Sequence, residues 1–119
     1  MPDILVVDDS IFIRNILKDM LHRLGFTSLD EASDGLEAVE KTKSGEYKLI
    51  FMDIMMPRMD GLQAIKEIRA LNPEQQIVIC TSAGQEKIVN EAVSSGAKEL
   101  VLKPFDLVEI KQIVEKYLM

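Results

Sequence analysis

Residues 47–53, Tyr-Lys-Leu-Ile-Phe-Met-Asp, decide the fold. Four apolar residues in a row, "LIFM", end on a carboxylate, and so short a continuous run reads as a strand covered on both faces. The same texture occurs near the start of the chain, where "ILVV" at residues 4–7 runs into Asp8 and Asp9. Strands buried on both faces belong to parallel sheets, because the crossover helices that join parallel strands lie over the sheet.

Working outward from these two runs, β-rich segments read as Asp3–Asp8, Thr27–Glu31, Tyr47–Asp53, Gln76–Thr81 and Glu99–Leu102. Between them apolar residues recur at three- and four-residue spacing. Ile13, Ile16, Leu17, Met20, Leu21 and Leu24 form one such helical face. Gly25, Gly45 and Gly96 each follow a helical stretch, where a left-handed residue is wanted, and Pro73 follows another. Asp60 with Gln63, and Asp106 with Glu109, have the spacing of helix N-caps. The last helix reads as Leu107–Leu118. Strand and helix alternate five times, which predicts an α/β fold: a (βα)5 doubly wound, five-stranded parallel sheet with helices on both faces.

The 119 residues suit a single domain over residues 1–119, with no effector domain expected. Twenty acids against 14 bases give a net charge of −6, which disfavours nucleic acid and anionic membrane as partners. The early apolar run is too short for a signal peptide or a membrane span. The lone Cys80 cannot form an internal disulfide, and no Cys/His cluster offers a zinc site, so a reducing, cytoplasmic location is expected.

In an open doubly wound sheet, ligands sit beyond the carboxyl ends of the strands. Those ends carry Asp8 and Asp9, then Asp53, then Thr81 and Ser82, then Lys103. The acidic pair alone means little, since roughly three adjacent acidic pairs are expected by chance at this composition. Position gives it meaning: Asp30-Glu31 closes a strand expected at the sheet edge, whereas Asp8-Asp9 closes the central one. Three clustered carboxylates repel one another unless a cation intervenes. With hard oxygen donors and no His or Cys beside them, Mg2+ is the expected cation. Lys103 and Thr81 then supply an ammonium and a hydroxyl suited to a phosphoryl group carried on a carboxylate.

The four motifs "ILVVDDS", "LIFMDIMMPRMDG", "VICTSAG" and "ELVLKPF" resemble, in that order, the receiver domain of response regulators, most closely the stand-alone chemotaxis (CheY-like) type. The resemblance spans Ile4 to Tyr117 and implies the flavodoxin-like strand order 2-1-3-4-5. It implies that Asp53 is the phosphoacceptor, taking a phosphoryl group from a histidine kinase. It further implies Asp9, Asp53 and the backbone carbonyl of Met55 as direct Mg2+ ligands, with Asp8 holding the metal through water. Thr81 is the implied switch hydroxyl, and Lys103 the implied phosphoryl-pairing lysine, its bond to Pro104 being cis. The implied output is a protein-binding surface on the fourth helix, fifth strand and fifth helix. Its partner would be a motor or adaptor protein, and a phosphatase is a further possible partner.

This chain departs from the pattern at Leu100, where many receivers carry an aromatic whose rotamer follows the threonine. Met55 stands where a polar residue is frequent, and its side chain is expected to shield an acyl phosphate from water and slow its hydrolysis. Met56 and Met59 are expected to pack locally, Phe12 and Phe105 to pack into the core, His22 to be solvated, and Cys80 to be a small buried hydrophobe. An Mg2+-dependent aspartyl-phosphate phosphatase would want a second acid two residues after Asp8, where Ser10 stands. A flavin carrier would want a Ser/Thr/Gly-rich loop in place of "DDSIFIRN". A phosphorelay intermediate handing its phosphoryl group to a second histidine needs the same residues as a motility switch.

Overall fold

A computed structural model describes residues 2–54, 56, 59–82, 84 and 86–118 of the chain. Among these, strands and helices alternate as β1 (Ile4–Val7), α1 (Ile11–Arg23), β2 (Leu29–Ala32), α2 (Gly35–Thr42), β3 (Leu49–Asp53), α3 (Gly61–Leu71), β4 (Ile77–Thr81), α4 (Glu86–Ser94), β5 (Glu99–Leu102) and α5 (Leu107–Leu118). All pairings are parallel, and the order is β2-β1-β3-β4-β5. This is the doubly wound sheet that the continuous apolar runs demand. Every residue of β1, β3 and β4 is buried, while β2 and β5 at the edges are only partly covered.

Because side chains alternate across a strand, each central strand feeds two cores. Ile4, Val6, Leu49, Phe51, Val78 and Cys80 meet Leu17 and Leu21 of α1 and Ile110 and Ile113 of α5. Leu5, Val7, Ile50, Met52, Ile77 and Ile79 face the other way, toward Ala38 of α2, Ile65 and Ile68 of α3 and Ala92 of α4. Small residues such as Ala38, Ala64 and Ala92 let those helices lie close to the sheet.

Helix boundaries follow local chemistry. Ser10 caps α1 through Ile13 N–H, Asp34 caps α2 through Glu37 N–H, and Asp60 caps α3 through Gln63 N–H at 2.9 Å. Gly25, Gly45 and Gly96 all have positive φ. At Asp106 the bond differs from the expected spacing: its carboxylate accepts from Val108 N–H at 3.0 Å, forming a tighter turn at the start of α5.

Further readings change, β3 for one beginning at Leu49 and not at Tyr47. β2 starts two residues later than expected and runs on to Ala32, whose pairing with Val7 keeps it in step with β1. Phe12 is not a core residue; it is 77% exposed, and Ile16, one turn further along α1, is half exposed. The two share a flank of α1 turned away from Leu17 and Leu21. Phe105, by contrast, packs against the α1/α5 core, Met56 and Met59 pack against the opposite one, His22 is exposed and Cys80 is buried.

Candidate functional site

Register brings the reactive side chains together. β1 and β3 pair Val7 with Met52, so Asp8 and Asp53 stand on neighbouring strand ends. β4 sets Cys80 beside Asp53, which carries Thr81 one residue past it, and β5 sets Leu102 beside Thr81. The next residue, Lys103, donates its backbone N–H to the Thr81 carbonyl at 2.7 Å. The Lys103–Pro104 bond is cis.

One carboxylate oxygen from each of Asp8, Asp9 and Asp53 lies within 4.8 Å of the others. Asp8 and Asp53 are buried, whereas Asp9 stands exposed at the rim. Asp8 is tightly held: Oδ1 accepts from Ser10 N–H at 2.9 Å, and Oδ2 lies 2.7 Å from Lys103 Nζ. The same ammonium lies 3.4 Å from Asp53 Oδ1. Burial works against the charge on Lys103, but its bonds to Asp8 and Asp53 outweigh that, and the ammonium is held above its ordinary range. A half-buried lysine is stabilised here because two carboxylates face it.

Thr81 is buried, and its hydroxyl donates only a long 3.3 Å bond to the Ser82 carbonyl. A hydroxyl so weakly held can change partner at little cost. Burial pushes the neighbouring Cys80 thiol well above its usual range, so it is no nucleophile. Met55 lies outside the described residues.

The acids open onto a cavity of about 240 Å3, walled also by Ser10, Ile13, Thr81 and Ser82. A second, more apolar cavity of about 300 Å3 lies between α4 and β5, bounded by Thr81, Ser82, Val89, Asn90, Leu100 and Leu102. Thr81 is therefore a wall common to both. Leu100 is 39% exposed and Leu102 48%, so the β5 side of this cavity is open to solvent.

Two supports were not apparent in the sequence. Gly61 N–H donates to the Ile54 carbonyl at 2.8 Å, and any Cβ at Gly61 would run into the backbone carbonyl of Asp53. The "DG" pair at 60–61 thus does two things, capping α3 and letting it lie against the end of β3. Arg14, on the first turns of α1, reaches back to the Asp8 carbonyl.

The donor set fits Mg2+: three converging carboxylates, two of them buried, with no His or Cys among the described residues that share the cluster. Asp8, Asp9 and Asp53 would hold it, and the ion would supply positive charge against which a further anion can enter.

Residues 4–115 match the family model for the response regulator receiver domain. The chain belongs to the response regulator receiver domain family. This receiver domain is 41% identical to the chemotaxis protein CheY of Bacillus subtilis, over 97% of this chain and 96% of that protein. Among solved structures it superposes with a TM-score of 0.88 on the CheX-CheY-BeF3-Mg2+ complex from Borrelia burgdorferi, at 30% identity over 98% of this chain and 89% of that one. It superposes equally well, at 27% identity, on the receiver domain of a Pseudomonas aeruginosa sensor histidine kinase with magnesium ion coordinated in its active-site cleft, over 98% of this chain and 96% of that one. The receiver domain is thus of the CheY-like type that serves two-component and chemotaxis signalling, and its Asp8, Asp9 and Asp53 form an acidic cluster of the kind that could hold a metal ion. None of its described helices is long and apolar enough to cross a membrane.

Proposed function

We propose that this chain acts as a response regulator in chemotaxis or motility signalling, phosphorylated on Asp53 by a histidine kinase in the presence of Mg2+. The observation that carries the reading is the convergence of Asp8, Asp9, Asp53 and Lys103 on one small cavity at the strand ends.

In the proposed step an Asp53 oxygen attacks the phosphorus of a phosphohistidine. The P–O bond forms as the P–N bond breaks, and the imidazole leaves with the electron pair and takes up a proton. Asp9 and Asp53, with Asp8 through water, would hold the metal, whose charge would offset that of the incoming phosphoryl oxygens. The Met55 carbonyl is the proposed further ligand. Once a dianion sits on Asp53, Lys103 is drawn to it and away from Asp8, and Thr81 is drawn out of its weak bond to Ser82.

Thr81 couples this event to the second cavity. Its movement changes the wall behind Leu100 and Leu102, and with Val93 and Val108, which are 48% and 61% exposed, these make the α4–β5–α5 face the proposed protein-binding output. Leu100 has no ring to swing, so the response is a repacking of that groove. The partners proposed are a histidine kinase, a motor or adaptor target, and a phosphatase, the last in keeping with the CheX-bound relative.

Amide NMR shifts on adding a small acyl-phosphate donor with Mg2+ test the switch. Changes at Asp53 that extend through Thr81 to Leu100, Leu102 and α4 are expected. Changes confined to the strand ends would refute the output face.

A further inference from the structure

The Asp9 carboxylate poses a positioning problem. Among the described residues no hydrogen bond or ion pair holds it, unlike those of Asp8 and Asp53, so its place in the cluster depends on the backbone that carries it. That backbone lies two residues beyond the end of the ladder, where Val7 makes the last pair with Ala32. The Asp8 N–H still reaches the Ala32 carbonyl at 3.1 Å. The Asp8 carbonyl, which fixes the plane of the peptide leading into Asp9, is held by a side chain instead. Arg14 Nη1 donates to it at 2.6 Å.

Arg14 is itself anchored. Its Nε donates to Glu31 Oε1 at 2.9 Å, and only 13% of its side chain is exposed. Glu31 sits in β2 opposite Val6, and its second oxygen is occupied by Lys18 at 2.7 Å. The guanidinium fork thus spans from an edge-strand carboxylate to the metal-binding turn, two acceptors in directions that one planar group satisfies together.

We propose that Arg14, braced by Glu31, is a positioning residue that sets the affinity of the acidic cluster for Mg2+ by fixing the Asp8–Asp9 peptide. It touches neither metal nor phosphoryl group. The proposal rests on the reading of the cluster as an Mg2+ site. Its sign separates it from plain electrostatics: Arg14 is a cation near a cation site, so removing its charge alone would tighten Mg2+ binding, whereas losing the positioning bond loosens it.

The test is calorimetric titration of Mg2+ into the wild type, Arg14→Gln, Arg14→Lys and Lys18→Ala, with denaturant stability measured in EDTA. Residues that orient metal ligands typically contribute about 10- to 100-fold to affinity, and a loss of about tenfold is expected for both Arg14→Gln and Arg14→Lys. Arg14→Lys keeps the charge but cannot span both acceptors. Lys18→Ala, which removes a partly exposed contact of Glu31 but leaves the Arg14 fork intact, is expected to stay within about twofold. Unchanged or tighter binding by Arg14→Gln, unchanged binding by Arg14→Lys, or an equal loss in Lys18→Ala would each overturn the proposal. If Arg14→Gln does not fold, Arg14→Lys decides. Failure of the wild type itself to bind Mg2+ would instead overturn the reading of the cluster, and this proposal with it.

Discussion

The two edges of the sheet are built from the same kit and finished differently. At β2, Asp30 accepts from the Tyr47 hydroxyl at 2.9 Å and pairs with Lys41 at 3.0 Å. At β5, Glu99 accepts from the Tyr117 hydroxyl at 2.6 Å and pairs with Lys116 at 2.9 Å. Each edge acid thus holds one tyrosine and one lysine. Beyond that the likeness ends. β2 carries a second acid, Glu31, tied to Arg14 and Lys18, and Lys41 also bonds the Glu31 carbonyl, so this edge is laced by charge and connected to the Asp8 turn. β5 carries Leu100 and Leu102 in the open beside an apolar cavity. Charged side chains blunt a sheet edge against adventitious pairing, while an exposed apolar strip invites a partner. One edge is tied to the strand-end site and the other lies open beside a cavity.

The largest effect that would test this contrast is on stability. Asp30→Ala leaves the phenol of Tyr47, a residue only 3% exposed, without its partner, and a loss of about 1–3 kcal/mol is expected in denaturant unfolding. Adding Tyr47→Phe to that variant is expected to recover part of the loss, since the orphaned hydroxyl goes with it. Full additivity of the two changes would mean that the β2 edge is not a network.

Next comes acid. Lys18 first, against burial, and then Arg14 hold Glu31 below the usual carboxylate range. At Asp30 burial pushes upward, but Lys41, Tyr47 and the Glu31 N–H outweigh it, and it too is lowered. A depressed folded pKa contributes stability above the unfolded value of about 4 and loses it as pH falls through the folded one. Unfolding free energy is therefore expected to decline below about pH 4, and Glu31→Gln to flatten that decline. An acid limb unchanged by the substitution would contradict the pairing.

In alkali the tyrosines give a finer reading. Burial and then Glu99 push the Tyr117 phenol up to about 12, and burial and then Asp30 push Tyr47 higher still. A raised folded pKa means that this stability is complete below about pH 10 and is lost as pH climbs through the folded values. Phenolate absorbance is expected to show Tyr117 ionising before Tyr47, and Glu99→Gln to bring Tyr117 down. The smallest effect belongs to the open edge: Leu102→Lys is expected to change stability by less than about 0.5 kcal/mol, as surface positions do. A loss of several times that would mean that β5 is a closed edge after all.

How much of this was legible in the sequence follows from how each feature is encoded. Asp8, Asp53, Thr81 and Lys103 could be placed because each closes or follows a β-rich run, and chain order plus parallel pairing puts such ends side by side. Arg14 could not, because its bond goes to a backbone carbonyl, and a carbonyl leaves no mark on the pattern of side chains. The fit of Gly61 against Asp53 was hidden for a similar reason, since "DG" reads equally well as a simple helix cap. Leu100 and Leu102 alternate with Val101 as any strand residues would, and only the placement of α4 leaves that face uncovered. Phe12 misled because a large aromatic is usually core; here it lies on a flank of α1 that the described elements leave exposed.

The most direct test of the central claim is intact mass after incubation with a small acyl-phosphate donor and Mg2+, comparing the wild type with Asp53→Asn. One phosphoryl adduct is expected in the wild type, lost with EDTA and absent from Asp53→Asn. An adduct that persists in Asp53→Asn, or none in the wild type, would contradict Asp53 as the phosphoacceptor.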